Sequence, residues 1–268
     1  MKQDRAAYAL DYASCRYGGG RLRFRGPARD LSRPYVAVLG GSEAFGRFAP
    51  RPFPDLLEDA LDLGVVNLGI PAAGPDVFLE DDGVRRVLAG ARAAVVQVLG
   101  AHNLSNRYYS VHPRRNDRFL RHSPSLQALF PVMDFSEFVF TRHMLCTLSA
   151  AAPDPFSRLR QELQAAWTAR MVRLLRGIEC PVILLDLDTG LEGPLGREPL
   201  FVTEDMVADV AEAADRLCRI GVDGVMGEDW LDGMIFHEIE RTAALMHLTP
   251  RAHVAVARGL ARALGEVA

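Results

Sequence analysis

The stretch Val36-Ala37-Val38-Leu39-Gly40-Gly41-Ser42-Glu43-Ala44-Phe45-Gly46 constrains this chain more than any other. Its apolar first half predicts a buried strand. A strand that stops at two glycines before a helix leaves the first turn residues at the C-terminal edge of a sheet, where α/β proteins place their ligands. Gly40 and Gly41 let the chain turn sharply and let a substrate approach the main chain, so Ser42 stands where a nucleophile would stand. The same serine also suits the cap of the following helix, and the local sequence leaves both readings open. Spacing excludes two other glycine-loop chemistries. Gly40, Gly41 and Gly46 miss the G-x-G-x-x-G offsets of a dinucleotide site, and a P-loop needs Gly-Lys, whereas Lys2 is the one lysine of the chain.

Further apolar runs alternate with amphipathic stretches, which predicts a parallel sheet covered on both faces. Strands are expected at 35–39, 65–68, 93–99 and 181–187, with a short fifth at 224–226. Helices are expected at 54–63, 76–89, 156–176, 204–218 and from Thr249-Pro250 to about 266, the last opened by an N-cap and a proline at the first helical position. Phe156, Leu159, Leu163, Trp167, Met171 and Leu174 recur at three- and four-residue intervals, which marks a core-facing stripe rather than a cofactor box. Residues 1–33 read as an N-terminal extension with no legible role, 34–268 as a single domain, and about 104–155 as an insertion after the third strand.

Composition limits the functions that remain. With 268 residues, 49% of them hydrophobic, and a formal net charge of -3, the chain suits one large soluble domain and not a general nucleic-acid binder. It holds no apolar run of membrane-spanning length and no signal-peptide core, so a cytoplasmic protein without a membrane partner is expected. Cys15, Cys146, Cys180 and Cys218 lie far apart with no C-x-x-C pair, so neither a metal site nor a redox motif is signalled.

The segments that follow successive strands line up along one sheet edge. They are Gly41-Ser42-Glu43, Asn67-Leu68-Gly69 and Gly100-Ala101-His102-Asn103, joined by His247-Leu248-Thr249-Pro250 before the last helix. In this order of serine, glycine, asparagine and histidine the chain resembles the SGNH (GDSL-like) hydrolase superfamily. It is most similar to an uncharacterised SGNH-like family that shares Gly-Gly-Ser-Glu and the segment Asn106-Arg107-Tyr108-Tyr109-Ser110-Val111-His112-Pro113-Arg114-Arg115-Asn116-Asp117. The resemblance implies a three-layer, flavodoxin-like α/β fold. It also implies Ser42 as nucleophile, the N–H groups of Ser42 and Gly69 with the amide of Asn103 as an oxyanion hole, and His247 as general base. No metal or organic cofactor is implied.

Two positions depart from that pattern. Ala244 stands where the superfamily places the aspartate that orients its histidine, which leaves a dyad or an acid from elsewhere, such as Glu240 or Asp229. The asparagine block is one residue longer than usual, and His102 occupies the expected asparagine position. His253 is a second candidate histidine. In the insertion, Arg107, Tyr108, His112, Arg114 and Arg115 form a cationic, aromatic cluster suited to carboxylate, phosphate or sulfate groups and to sugar rings. With Glu43, Asn67, His102 and His253 they make up the expected substrate-binding set. The favoured function is ester hydrolysis or acyl transfer on a small-molecule or glycan-linked acyl group, with an anionic substrate suggested by the arginines. The rivals are a non-catalytic protein holding an anionic glycan or protein partner through the insertion, and group transfer from a sulfated or phosphorylated donor. The sequence does not set the oligomeric state.

Overall fold

In the computed structural model the described residues are 10–222 and 231–265. In chain order the elements are β1 (Tyr35–Gly40), α1 (Ser42–Phe45), α2 (Phe53–Leu61), β2 (Gly64–Gly69), α3 (Asp76–Leu79), α4 (Asp82–Gly90) and β3 (Ala93–Gln97). The insertion follows with β4 (Tyr109–His112), β5 (Arg115–His122), α5 (Pro124–Leu129) and α6 (Thr141–Ala151). The chain then continues through α7 (Pro153–Arg176), β6 (Val182–Asp188), β7 (Glu192–Gly193), β8 (Gly196–Arg197), α8 (Glu204–Ala211), β9 (Arg216–Gly221), α9 (Arg241–Ala244) and α10 (Pro250–Gly265).

Five strands form one parallel sheet in the order β2-β1-β3-β6-β9. Alternate residues of a strand face opposite ways, and both faces of this sheet are covered. Val36, Val38, Val95 and Ile183 pack with Phe53 and Leu57 of α2 and with Val256 and Leu260 of α10. Ala37, Leu39, Val96 and Leu184 pack with Val84 and Val87 of α4 and with Leu163, Trp167 and Met171 of α7. The strand order reverses direction between β1 and β3, and in such sheets the crevice beyond the strand ends at that point is the ligand site. Both segments that leave it carry candidate residues: Ser42 after β1, and His102 and Asn103 after β3.

Two expectations about elements are corrected. The helix expected at 76–89 is two helices, because Asp81 turns its carboxylate back onto the N–H groups of Gly83 and Val84 and caps a new start. The helix expected at 204–218 ends at Ala211, and Arg216–Gly221 is the fifth strand, an edge strand whose exposed Arg219 pairs with Asp186 at 3.2 Å. The strand expected at 224–226 lies outside the described residues, as does Asp229. The N-terminal segment is built into the fold: Tyr17, Leu22 and Phe24 join the core on the α7 side, and Asp81 accepts the N–H groups of Arg21 and Leu22.

Candidate active site

Ser42 opens α1 directly beyond β1, and the turn beneath it is braced by a buried glutamine. Gln97, the last residue of β3, accepts the Gly41 N–H at 3.0 Å and donates to Glu43 Oε2 at 2.8 Å. A Cβ on Gly40 would lie 2.4 Å from Gln97 Oε1 and 2.6 Å from the Ala44 methyl, so this close approach requires glycine. Below α1, Asn67 donates to the Ala44 carbonyl at 2.8 Å and accepts the Gly69 N–H at 2.8 Å. Both Asn67 and Gly69 therefore act as supports for the nucleophile turn. Neither lines the cavity above it, and the Gly69 N–H expected in the oxyanion hole is engaged by Asn67.

The amide that reaches the serine belongs to Ala72, three residues further on. Its N–H donates to Ser42 Oγ at 3.1 Å, and its carbonyl accepts Asn103 Nδ2 at 2.9 Å. Ala72 has φ +53°, a conformation that costs a non-glycine residue free energy and that its surroundings must hold. They do so from two sides: Asn103 grips its carbonyl, while Asn116 of β5, 2% exposed, accepts the N–H groups of Gly74 and Val77 at 3.1 and 3.2 Å. Thr141, at the start of α6, donates to Asn103 Oδ1 at 2.6 Å, which fixes the amide with its N–H groups toward Ala72. Ala72, Asn116 and Thr141 were missed by sequence reasoning. Nothing in a lone alanine, threonine or asparagine signals a positive φ or a buried hydrogen bond across 38 residues.

His247 lines the same cavity as Ser42 and Asn103. Its Nδ1 lies 2.7 Å from the Ala243 carbonyl, which makes Nδ1 the protonated nitrogen and leaves Nε2 as the acceptor, and its ring packs edge-on against Phe48 at 4.9 Å. Burial holds the His247 pKa below its usual value; the Ala243 carbonyl and the Glu43 carboxylate oppose that shift, and Arg47 adds to it. Burial thus favours the neutral imidazole, the form that accepts a proton at Nε2. Ala244, where the SGNH resemblance leads one to expect an aspartate, is 1% exposed and packs with Phe48 and Met234, and a main-chain carbonyl orients the imidazole. Glu240, an alternative acid, is engaged by Arg47 at 2.7 Å.

His253 is not part of this site. It is 1% exposed, its Nδ1 accepts the Phe53 N–H at the start of α2 at 3.0 Å, and its ring stacks on Phe53. Burial, with the nearby Arg25 and His247, pushes its pKa down to about 3. His102 does line the cavity. It is 7% exposed, with Nδ1 lacking a hydrogen-bond partner among the described residues, and burial together with Arg142 brings its pKa to about 3.

The arginine-rich cluster does not converge on the cavity. Arg107 lies over the Tyr108 ring and pairs with Glu162 on α7 at 3.1 Å, Arg115 forms a fork with Asp117, Arg114 is exposed, and His112 Nδ1 accepts the Arg114 N–H. The insertion still supplies one wall, through Asp117, Phe140, Thr141 and Arg142. The cavity measures about 510 Å³, within the ordinary range for small-molecule sites.

The N-terminal segment reaches the nucleophile loop through Arg25. This guanidinium, 7% exposed, donates to the carbonyls of Phe45 and Gly46 at 3.2 and 2.5 Å and of Ala49 and Pro50 at 2.9 and 2.8 Å. Tyr12 adds a bond to the Arg47 carbonyl. The loop between α1 and α2 is thus gripped by residues 12–25 on one side and, through Phe48, by the His247 segment on the other.

The match to a known family extends over residues 1–268. The chain belongs to the family described as a domain of unknown function (DUF6473). No curated protein matches this family member. Among solved structures, similar ones include a lipase from a goat rumen metagenome (12% identity, 87% of this chain and 97% of that chain, TM-score 0.43). Others are a catalytic mutant of an acetylxylan esterase from Geobacillus stearothermophilus (14% identity, 87% and 94%, TM-score 0.43) and a family two carbohydrate esterase from Clostridium thermocellum in complex with cellohexaose (12% identity, 90% and 66%, TM-score 0.42). The chain spans just under two thirds of that last protein. Among the described residues, no helix is long and apolar enough to cross a membrane.

Proposed function

We propose that this DUF6473 member is a serine-dependent ester hydrolase or acyl transferase of SGNH type that works through an acyl-Ser42 intermediate. The observation that carries the reading is the junction at Ala72, whose N–H meets Ser42 Oγ at 3.1 Å while its carbonyl holds the Asn103 amide at 2.9 Å. Ser42 Oγ attacks the acyl carbon and its proton passes to His247 Nε2. The negative charge that develops on the carbonyl oxygen is met by the N–H groups of Ser42 and Ala72 and by the second N–H of Asn103 Nδ2. Donors fixed by a sheet edge need no reorganisation as that charge forms. On collapse the C–O bond to the leaving group breaks and the alkoxide takes the proton from His247. A water or a second alcohol then attacks the acyl carbon, gives its proton to His247, and Ser42 leaves with it. The Ala243 carbonyl supplies the tautomer that this requires, and the Glu43 carboxylate favours the imidazolium that forms.

A fluorophosphonate tests the reading, because it phosphonylates a serine only where the serine is activated. The expected result is one adduct, on the peptide containing Ser42, absent in Ser42→Ala and slowed by at least about 100-fold in His247→Gln. A wild-type chain that stays unlabelled would sink the enzyme and favour a binding protein on the same scaffold, the reading that Ala244 supports.

A further inference from the structure

The walls of the cavity bear on what kind of ester enters it. Three carboxylates, Glu43, Asp117 and Glu198, and one guanidinium, Arg142, line the cavity, while Arg115 pairs with Asp117 at 3.0 Å from outside that lining. Arg142 is paired with Glu198, whose second oxygen accepts the Leu200 N–H at 2.9 Å. His102 stays uncharged near neutral pH, and burial favours the neutral form of His247. With Glu198 and Asp117 each paired, an anionic substrate would still bring its charge toward Glu43, which neither pair offsets, at a cost that low dielectric increases. Much of the remaining surface is aliphatic, beside the polar Gln97 and Thr189. Val98 and Leu99 follow β3, Leu187 lies near the end of β6, and Leu191 and Pro199 come from the segment after it. At the open edge stand Phe140 and Met246, 45% and 47% exposed, one preceding the Thr141 that orients Asn103 and the other preceding His247. Large apolar side chains left half in water beside a site gain most when a ligand covers them.

Resting on the acyl-Ser42 reading, we propose that the substrate is an uncharged ester with an aliphatic chain of several carbons, held along Leu99, Leu187 and Leu191 and covered at the mouth by Phe140 and Met246. Each methylene buried there raises affinity about fourfold, so four additional methylenes give more than about 200-fold when all are covered. An acetyl group by itself would leave most of the 510 Å³ unfilled.

Equilibrium binding to the full-length Ser42→Ala chain, which cannot form the acyl-serine, tests this independently of catalysis. Ethyl acetate, ethyl hexanoate and the anion monoethyl succinate are titrated at pH 8, with shifts of the Leu99, Leu191 and Met246 methyl resonances as the readout. Ethyl hexanoate should bind at least about tenfold tighter than ethyl acetate, and monoethyl succinate no tighter than ethyl acetate. Leu191→Asp, at a half-buried position, should bring the hexanoate-to-acetate ratio to within about threefold of one; Met246→Gln should lower it too and serves if the first variant does not fold. Equal binding of the two neutral esters, tighter binding of the succinate ester, or no hexanoate binding up to its solubility limit overturns the proposal. Fluorophosphonate labelling of the wild type judges the acyl-Ser42 reading separately, so the two can fail apart.

Discussion

Replacing His253 by asparagine should remove about 2 kcal/mol of the stability that is lost on acidification to about pH 5. His253 Nδ1 accepts the Phe53 N–H inside a core where it is 1% exposed, so a proton there would set donor against donor in an apolar setting. That burial, with Arg25 and His247 nearby, lowers the pKa to about 3, and His102 is lowered to about 3 by burial and Arg142. The folded-state values are depressed, so as the pH falls below about 6.5 the unfolded chain takes up these two protons first and unfolding becomes easier. The stability is present above that pH and drains away as pH falls toward 3. At pH 5, about 1.5 units below the unfolded value, each histidine has cost about 2 kcal/mol, and the pair about 4 kcal/mol. Asparagine keeps a neutral acceptor for the Phe53 N–H and does not titrate. Urea unfolding at pH 8 and pH 5 should show the variant losing about 2 kcal/mol less than the wild type over that interval, whatever its stability at pH 8. An equal loss in both proteins would refute the reasoning, because it would mean that His253 protonates in the folded state without penalty.

Other outcomes follow from the same contacts. The acid limb of Ser42 labelling should have its midpoint below 6.5, and Glu43→Gln, which keeps an acceptor for Gln97 but removes the charge that favours the His247 imidazolium, should move it lower still; a midpoint unchanged by Glu43→Gln would deny that coupling. Thr141→Val removes the 2.6 Å bond to Asn103 at nearly constant volume and should slow labelling by about tenfold while the wild-type fold persists; an unchanged rate constant would show that Asn103 needs no orienting partner. Arg25→Met leaves four carbonyls of the α1–α2 loop without their donor and should cost about 3 kcal/mol or more in urea unfolding, with Arg25→Lys intermediate; a loss under about 1 kcal/mol would mean that the N-terminal segment does not brace that loop.

The central strands and the serine turn were legible because their signals are local. A run such as Ala93-Ala94-Val95-Val96 reads as buried in any context, and a Gly-Gly-Ser after such a run fixes where its serine lies relative to the sheet. The edge strand Arg216–Gly221 was not legible, because one of its faces meets water and its apolar residues continue the helical spacing of Met206, Val207 and Val210. The site was half legible for a related reason. Ser42 and Asn103 could be placed from the strand ends they follow and His247 from the helix it precedes, whereas the donor at Ala72 depends on a backbone angle that glycine would advertise and alanine hides. The insertion misled in the opposite sense: arginines dense in sequence fan out in space, Arg107 to α7 and Arg115 to Asp117 on its own strand.

Ala244→Asp, which writes in the residue that the SGNH resemblance leads one to expect, is expected to damage the protein rather than improve it. Position 244 is 1% exposed and its side chain packs with Phe48 and Met234, with Leu231 and Phe236 close by. A carboxylate there would leave water without a cationic partner among those apolar neighbours, and His247 Nδ1 is already committed to the Ala243 carbonyl at 2.7 Å. To gain the new acid, the imidazole must give up an existing bond and turn, which takes Nε2 away from the direction that the carbonyl sets. The cost of the buried charge is on the order of 3 kcal/mol, enough to lower the thermal midpoint by several degrees in a chain of this size. Labelling of Ser42 at pH 8 should therefore be no faster than in the wild type, with a clearly lower melting temperature. Faster labelling at an unchanged melting temperature would show that the carboxylate reaches His247 without strain. The carbonyl would then be a lesser substitute for the acid, not the arrangement around which this loop is packed.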